Sequence, residues 1–298
     1  MTKTLLIPLP GNEKLAANIA QLGGMTLSSL SWRRFPDMES YLCFDANVKD
    51  HNCALVCTLD RPDEKFLALS FLSSLLKDKG ARRVGLVAPY LGYMRQDKAF
   101  KNGEAVTSIY FAQLLSQQFD WLLTIDPHLH RHKSLAEIYT IPARALHAHS
   151  SLAQCIQKQI TKPFLIGPDE ESRQWVATVA EEIGAPFTVL RKIRRGDKDV
   201  EVSLPDVEAH HNRTPVLLDD IASSGRTLIA AVETLSGLGL AKPVVVVIHP
   251  VFAGTAYKDL SHAGAHKIFS CNTIEHISNS INIAPLLIDG GRAEGFWN

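Results

Sequence analysis

The sequence predicts an α/β protein of two similar halves, each a largely parallel sheet flanked by helices, and three observations carry that expectation. Short apolar, β-branched runs alternate along the chain with longer segments of helical period. A strand-to-helix junction at 216–227, reading V-L-L-D-D-I-A-S-S-G-R-T, has a counterpart in the first half, where Asp126-Pro127-His128 closes another apolar run. The length, 298 residues, suffices for two ordinary domains with a core each.

In chain order, strands are expected at 4–8, 54–58, 84–88, 121–125, 164–166, 216–218 and 244–248. Helices are expected between them at 12–22, 64–79, 109–117, 170–183 and 228–238. The halves join near 145–151, dividing 1–146 from 147–298. By element order, 126–130 closes a strand of the first half as 219–227 closes one of the second.

Composition narrows the class. Lys and Arg number 31 and Asp and Glu 31, so neither nucleic acid nor an anionic membrane is called for as partner. The opening T-L-L-I-P is too short for a signal peptide and is followed by Pro10, so it reads as a first strand. No apolar run approaches the roughly 18 residues of a membrane span. Cys43, Cys53, Cys57, Cys155 and Cys271 are odd in number and lack metal spacing. A soluble protein of the reducing cytoplasm is expected.

The junction at 216–227 is the most informative stretch. Loop amides and a helix N-terminus converge there, where free N–H groups and the helix dipole favour an anion. Ser223, Ser224 and Thr227 add hydroxyl donors, and Gly225 permits a tight backbone. Asp219 and Asp220 beside a phosphate make sense only if they face sugar hydroxyls or a cation, so the pair points to a phosphorylated sugar. An ordinary N-capped helix explains one Asp or Ser, not the set.

Other loops carry chemistry less decisively. In Arg33-Arg34-Phe35-Pro36-Asp37-Met38-Glu39, an aromatic among cations with carboxylates at alternate positions suits a purine ring and its amine; alone, the stretch reads better as a half-exposed strand. In Tyr93-Met94-Arg95-Gln96-Asp97-Lys98, Arg95 offers a planar fork for phosphate, and 101–105 continues a Gly-containing loop. His128, His130 and His132 alternate without a helical frame or cysteines, so zinc is disfavoured; His128 suits a site beside an acidic substrate and Mg²⁺. Asp169, between a strand and a helix, suits Mg²⁺, ribose hydroxyls or a helix cap. The run 191–198 holds five cations in eight residues and reads as a solvated face or a flexible cationic arm.

The junction resembles the ribose-phosphate motif of the phosphoribosyltransferase fold, with Ser224 where Thr is commoner and Arg226 where a small residue is usual. Taken together and in this order, the loops resemble the ribose-phosphate pyrophosphokinase family over nearly the whole chain, most closely its shorter archaeal-type branch. That resemblance implies two phosphoribosyltransferase-type domains and a reaction of Mg-ATP with ribose 5-phosphate, giving phosphoribosyl pyrophosphate and AMP. It implies ATP-binding roles for Phe35, Asp37, Glu39, Arg95, Gln96 and Asp97, and magnesium at His128 and Asp169. Asp219, Asp220, Ser223, Ser224, Gly225 and Thr227 would hold ribose 5-phosphate, with Lys192, Arg194 and His128 catalytic. A homo-oligomer is expected. A phosphoribosyltransferase would share 216–227 but needs no adenine loop, and a non-catalytic regulatory homologue has no need of His128, Asp169 and Lys192 together.

Overall fold

The computed structural model describes residues 4–99, 101–129, 131–195, 199–203 and 207–297, with 191–195, 199–203, 207 and 208 described as backbone. The chain divides into two compact units. One comprises 1–147 with 273–275 and 283–298, the other 148–272 with 276–282.

In the first unit β1 (Leu5–Pro8), α1 (Glu13–Gly23) and β2 (Thr26–Leu27) lead into a hairpin of β3 (Ser31–Arg34) and β4 (Ser40–Cys43). Then follow β5 (Asn52–Val56), α2 (Pro62–Asp78), β6 (Arg83–Ala88), α3 (Thr107–Gln118), β7 (Trp121–Ile125) and β8 (Ala143–Leu146). Six of these strands form a wholly parallel sheet in the order β2-β1-β5-β6-β7-β8. β5 and β7 are buried at every position, as expected of near-continuous apolar strands covered on both faces. Leu69, Leu72 and Leu76 recur at helical spacing on α2 and close one side of that core.

The second unit runs α4 (His149–Gln159), β9 (Pro163–Gly167), α5 (Arg173–Ile183), β10 (Phe187–Val189), and a hairpin of β11 (Arg191–Arg195) and β12 (Asp199–Ser203). β13 (Thr214–Ile221), α6 (Arg226–Gly237), β14 (Val244–His249), α7 (Ala256–His262), β15 (Lys267–Cys271) and β16 (Asn279–Ile281) complete it. Its sheet is again parallel, ordered β10-β9-β13-β14-β15-β16. The two sheets have one topology, and in each a two-stranded antiparallel hairpin is inserted between the second and third parallel strands. Two similar α/β halves are thus observed.

The structure corrects the expected boundaries in three ways. First, residues 283–298, carrying α8 (Ala284–Ala293), belong to the first unit, so a simple division into 1–146 and 147–298 does not hold. Trp121 stacks on Phe296 at 4.5 Å and meets Trp297 edge-on at 5.5 Å. Thr4 Oγ1 donates to Trp297 O at 2.6 Å, and Trp297 Nε1 donates to Ile288 O at 3.0 Å. Gly290 and Gly291 weaken the helical signal of this segment in sequence, yet close packing needs both. A Cβ would lie 2.4 Å from Leu146 at the first and 2.1 Å from Trp297 at the second.

Second, the loop at 126–130 is not the topological partner of 219–227. It follows the fifth parallel strand, β7, whereas 219–227 spans the end of the third, β13, and the loop after it, and the counterpart of β13 is β5. Element order alone does not say which strands lie centrally, and both halves place the reversal of strand order between the first and third strands. Third, α5 begins at Arg173, not 170, because Asp169 Oδ1 accepts from Ser172 N at 3.2 Å and Ser172 Oγ donates to Asp169 O at 2.6 Å, holding 169–172 as a separate turn.

Candidate functional site

Parallel sheets present ligand-binding loops beyond the C-terminal ends of their strands, and the candidate residues outside the two hairpins sit there. In the second unit, β13 extends through Asp219 and Asp220 to Ile221, longer than the expected 216–218. Asp219 Oδ1 accepts from Asp220 N at 3.0 Å. Burial pushes the Asp219 carboxyl well above its usual value, reinforced by the charges of Asp220 and Asp169. The fold therefore brings together three carboxylates separated by some fifty residues in the chain, and oxygen-rich donor sets of this kind suit a hard cation or sugar hydroxyls. Asp169 serves both the turn before α5 and this cluster.

Beyond the carboxylates the chain passes Ala222, Ser223 and Ser224 to Gly225, which at φ 71° adopts the left-handed conformation that glycine takes without strain. Its carbonyl accepts the first helical bond, from Ile229 N at 2.8 Å. The loop after β14 braces this one: Phe252 N donates to Ala222 O at 2.7 Å and Ala253 N to Ser223 O at 3.0 Å. No hydrogen bond among the described residues uses the hydroxyls of Ser223, Ser224 or Thr227. With the first amides of α6, they form a set of donors suited to a phosphate. Arg226 is exposed.

Lys192 and Arg194 lie on β11, paired across the ribbon with Val202 and Val200. The cationic run is a strand in this part, since R-K-I-R-R and D-V-E-V-S provide complementary extended segments. Residues 196–198 lie outside the described residues.

In the first unit, Phe35, Asp37 and Glu39 occupy the turn of the β3–β4 hairpin, which the reading as a half-exposed strand anticipates in part. Phe35 N donates to Glu39 O at 2.8 Å, Met38 N to Phe35 O at 2.9 Å, and Glu39 N to Asp37 Oδ1 at 3.2 Å. The Arg33 guanidinium lies 4.6 Å from the Phe35 ring centre and 4.4 Å from that of Tyr41. Arg34 donates to Glu64 O at 2.8 Å, tying the hairpin to the first turn of α2.

Arg95, Gln96 and Asp97 follow β6. Arg95 is exposed. Gln96 is fastened to the start of α3: its Oε1 accepts from Thr107 Oγ1 at 3.0 Å and its carbonyl from Ser108 N at 3.3 Å. The Asp97 side chain is only 8% exposed and faces Arg131 Nε at 3.6 Å. His128 is half-buried in the loop after β7. Two residues earlier, Asp126 contacts His147 Nδ1 at 2.7 Å, and that hydrogen bond is the main cause of a raised His147 pKa. Sequence reasoning missed both His147 and Arg131. Each becomes visible only when the loop after β7 is seen against its neighbours.

Asp219 gives a pH prediction. Because its folded pKa is raised, the folded state is unpenalised below the ordinary carboxylate value and loses stability as pH rises through the folded value. In magnesium-free buffer, Asp219→Asn is therefore expected to raise the Tm at pH 8, with the gain vanishing near pH 4. A Tm gain independent of pH would refute a role for the charge.

Two duplicated parallel sheets, with an acidic pair leading into a small-residue loop and helix N-terminus, define a protein of the phosphoribosyltransferase class. Residues 134–285 match the family model described as the phosphoribosyl transferase domain, and residues 4–118 match the N-terminal domain of ribose phosphate pyrophosphokinase. The ribose-phosphate pyrophosphokinase of Methanobrevibacter smithii is 31% identical over 94% of this chain and 97% of its own. That of Methanothermobacter thermautotrophicus is 30% identical over 96% and 99%. The crystal structure of phosphoribosylpyrophosphate synthetase from Mycobacterium smegmatis shares the fold, with a TM-score of 0.85 at 22% identity over 99% of each chain. The chain belongs to the ribose-phosphate pyrophosphokinase family, and is an enzyme of diphosphoryl transfer.

Proposed function

We propose that this chain transfers the β,γ-diphosphoryl group of ATP to the anomeric hydroxyl of ribose 5-phosphate, giving phosphoribosyl pyrophosphate and AMP. One observation carries the sugar-phosphate half of the reading: half-buried Asp219 and its neighbour Asp220 run directly into a braced loop of hydroxyls and helix-terminal amides. The amides, with Ser223, Ser224 and Thr227, take the 5-phosphate, while the two carboxylates accept from the ribose diol.

ATP belongs to the first unit. Phe35 stacks the adenine, with Asp37 and Glu39 accepting from its amine, and Arg95 and Gln96 meet the phosphates. The sugar hydroxyl attacks the β-phosphorus in line, so these residues chiefly align two anions. Lys192 and Arg194 place cations on the transferring group. Mg²⁺ fits the donor chemistry present; Asp169 and His128 would hold it, and it would offset negative charge on the phosphates.

A cytoplasmic homo-oligomer completes the reading. No helix among the described residues is long and apolar enough to cross a membrane, and no disulfide joins the described cysteines. Leu67 and Phe71 of α2 and Tyr110 and Leu114 of α3 are exposed, apolar surface of the kind a second copy covers.

Phosphorus NMR of a reaction with Mg-ATP and ribose 5-phosphate is expected to show AMP and phosphoribosyl pyrophosphate, neither forming when the sugar phosphate is omitted. ADP as the nucleotide product would overturn diphosphoryl transfer, and no turnover would favour a regulatory homologue.

A further inference from the structure

We propose that Arg131 is an additional ATP-phosphate-binding residue of the first unit, and that Asp97 is the positioning residue that holds it. The inference rests on the assignment of ATP to the loops after β6 and β7. It starts from a conflict in that assignment. A carboxylate is a poor direct ligand for a polyanion, since two like charges in contact repel unless a cation intervenes. Asp97 nonetheless adjoins Arg95 and Gln96 in the chain.

The geometry resolves the conflict. Asp97 is withdrawn from solvent, its side chain 8% exposed, and its Oδ1 faces the Nε edge of Arg131 at 3.6 Å. Arg131 is half exposed, and no other ion pair or hydrogen bond of its guanidinium occurs among the described residues. A guanidinium carries five donors in a planar fork, so a contact at Nε leaves the terminal nitrogens for an anion. β6 and β7 are adjacent parallel strands, registered from Gly85↔Trp121 to Ala88↔Thr124, so the loops leaving their C-terminal ends are neighbours. The Asp97–Arg131 pair links those loops, one bearing Arg95 and the other His128. Two forks from adjacent loops suit a ligand with several phosphates better than one, and fixing Arg131 beforehand lowers the ordering cost of binding.

Arg131→Ala leaves the withdrawn Asp97 carboxylate unpaired and can cost stability by itself, so ATP affinity, not the Tm, separates a ligand-positioning pair from a purely structural latch. The test measures ATP binding by calorimetry and steady-state kinetics for wild type, Asp97→Asn, Arg131→Ala, Arg131→Lys and the Asp97→Asn/Arg131→Ala double variant. Arg131→Ala is expected to weaken ATP about tenfold or more, as for loss of a charge-assisted contact. KM for ribose 5-phosphate should be unchanged, and Arg131→Lys should recover part of the loss. Asp97→Asn should weaken ATP less than Arg131→Ala, and add nothing in the double variant.

Wild-type ATP affinity in Arg131→Ala would overturn the assignment of Arg131, while leaving the diphosphokinase reading intact if wild type turns over. An Asp97→Asn loss undiminished in the Arg131→Ala background would overturn the positioning role. Wild type that binds no ATP would overturn the parent reading as well.

Discussion

Replacing Lys192 with alanine is expected to lower kcat by about 10²- to 10³-fold, the usual cost of losing one preorganised contact to charge that redistributes in a transition state. Lys192 sits on β11 of a two-stranded ribbon that leaves the parallel sheet between its second and third strands. The first unit has a hairpin at the same topological place, and that hairpin carries Phe35, Asp37 and Glu39. A ribbon lying outside the parallel sheet suits bringing cations to a bound anion, and a substitution on it leaves the sheet itself intact. Lys192→Ala should thus leave the Tm within about 2 °C of wild type, the effect of a substitution costing under ~0.5 kcal/mol. It should also leave KM for ATP nearly unchanged, because a contact made only in the transition state appears in kcat and kcat/KM together. Steady-state kinetics on the purified variant decide it: near-wild-type kcat would reduce the cationic run to a solvated face and remove Lys192 from the machinery.

The largest structural effect is expected at Gly85. This glycine lies in the middle of β6, and a Cβ there would fall 1.8 Å from Trp121 Cε2 and 2.2 Å from two further ring atoms. The indole has no room to retreat, since Phe296 stacks on it at 4.5 Å and Trp297 abuts it. Gly85→Ala must therefore either shift a central strand or displace the C-terminal segment from Trp121. Overpacking of this severity costs about 3 kcal/mol or more, lowering the Tm by roughly 6–12 °C in a domain of this size. Thermal unfolding of Gly85→Ala tests this, and the double variant Gly85→Ala/Trp121→Phe should recover part of the loss by trimming the colliding ring. An unchanged Tm in Gly85→Ala would show that the strand, ring and C-terminal segment are not packed as described.

Much of the fold was legible because its strands are buried on both faces. Runs such as W-L-L-T-I and V-V-V-V-I have no polar alternation to confuse with a surface strand, and their spacing by helical segments specifies a parallel sheet. The edge strands β2, β8, β10 and β16 were not legible, being two to four residues long and too short to show a period.

The sugar-phosphate loop was legible for another reason: its acidic pair, small residues and helix N-terminus are consecutive, so local chemistry alone describes them. Contacts between distant segments were decided by tertiary structure. The approach of Asp169 to Asp219, the pairing of Asp97 with Arg131, and the contact of Asp126 with His147 each join separate loops. The return of 283–298 to the first unit belongs with them: α8 carries two adjacent glycines that lower its helical signal, and only the Leu146 and Trp297 side chains packed against them explain their presence. What is contiguous in the chain could be read from residue types and spacing. What depends on which strands become neighbours in a sheet required the fold, because strand order is set by packing among segments far apart in sequence.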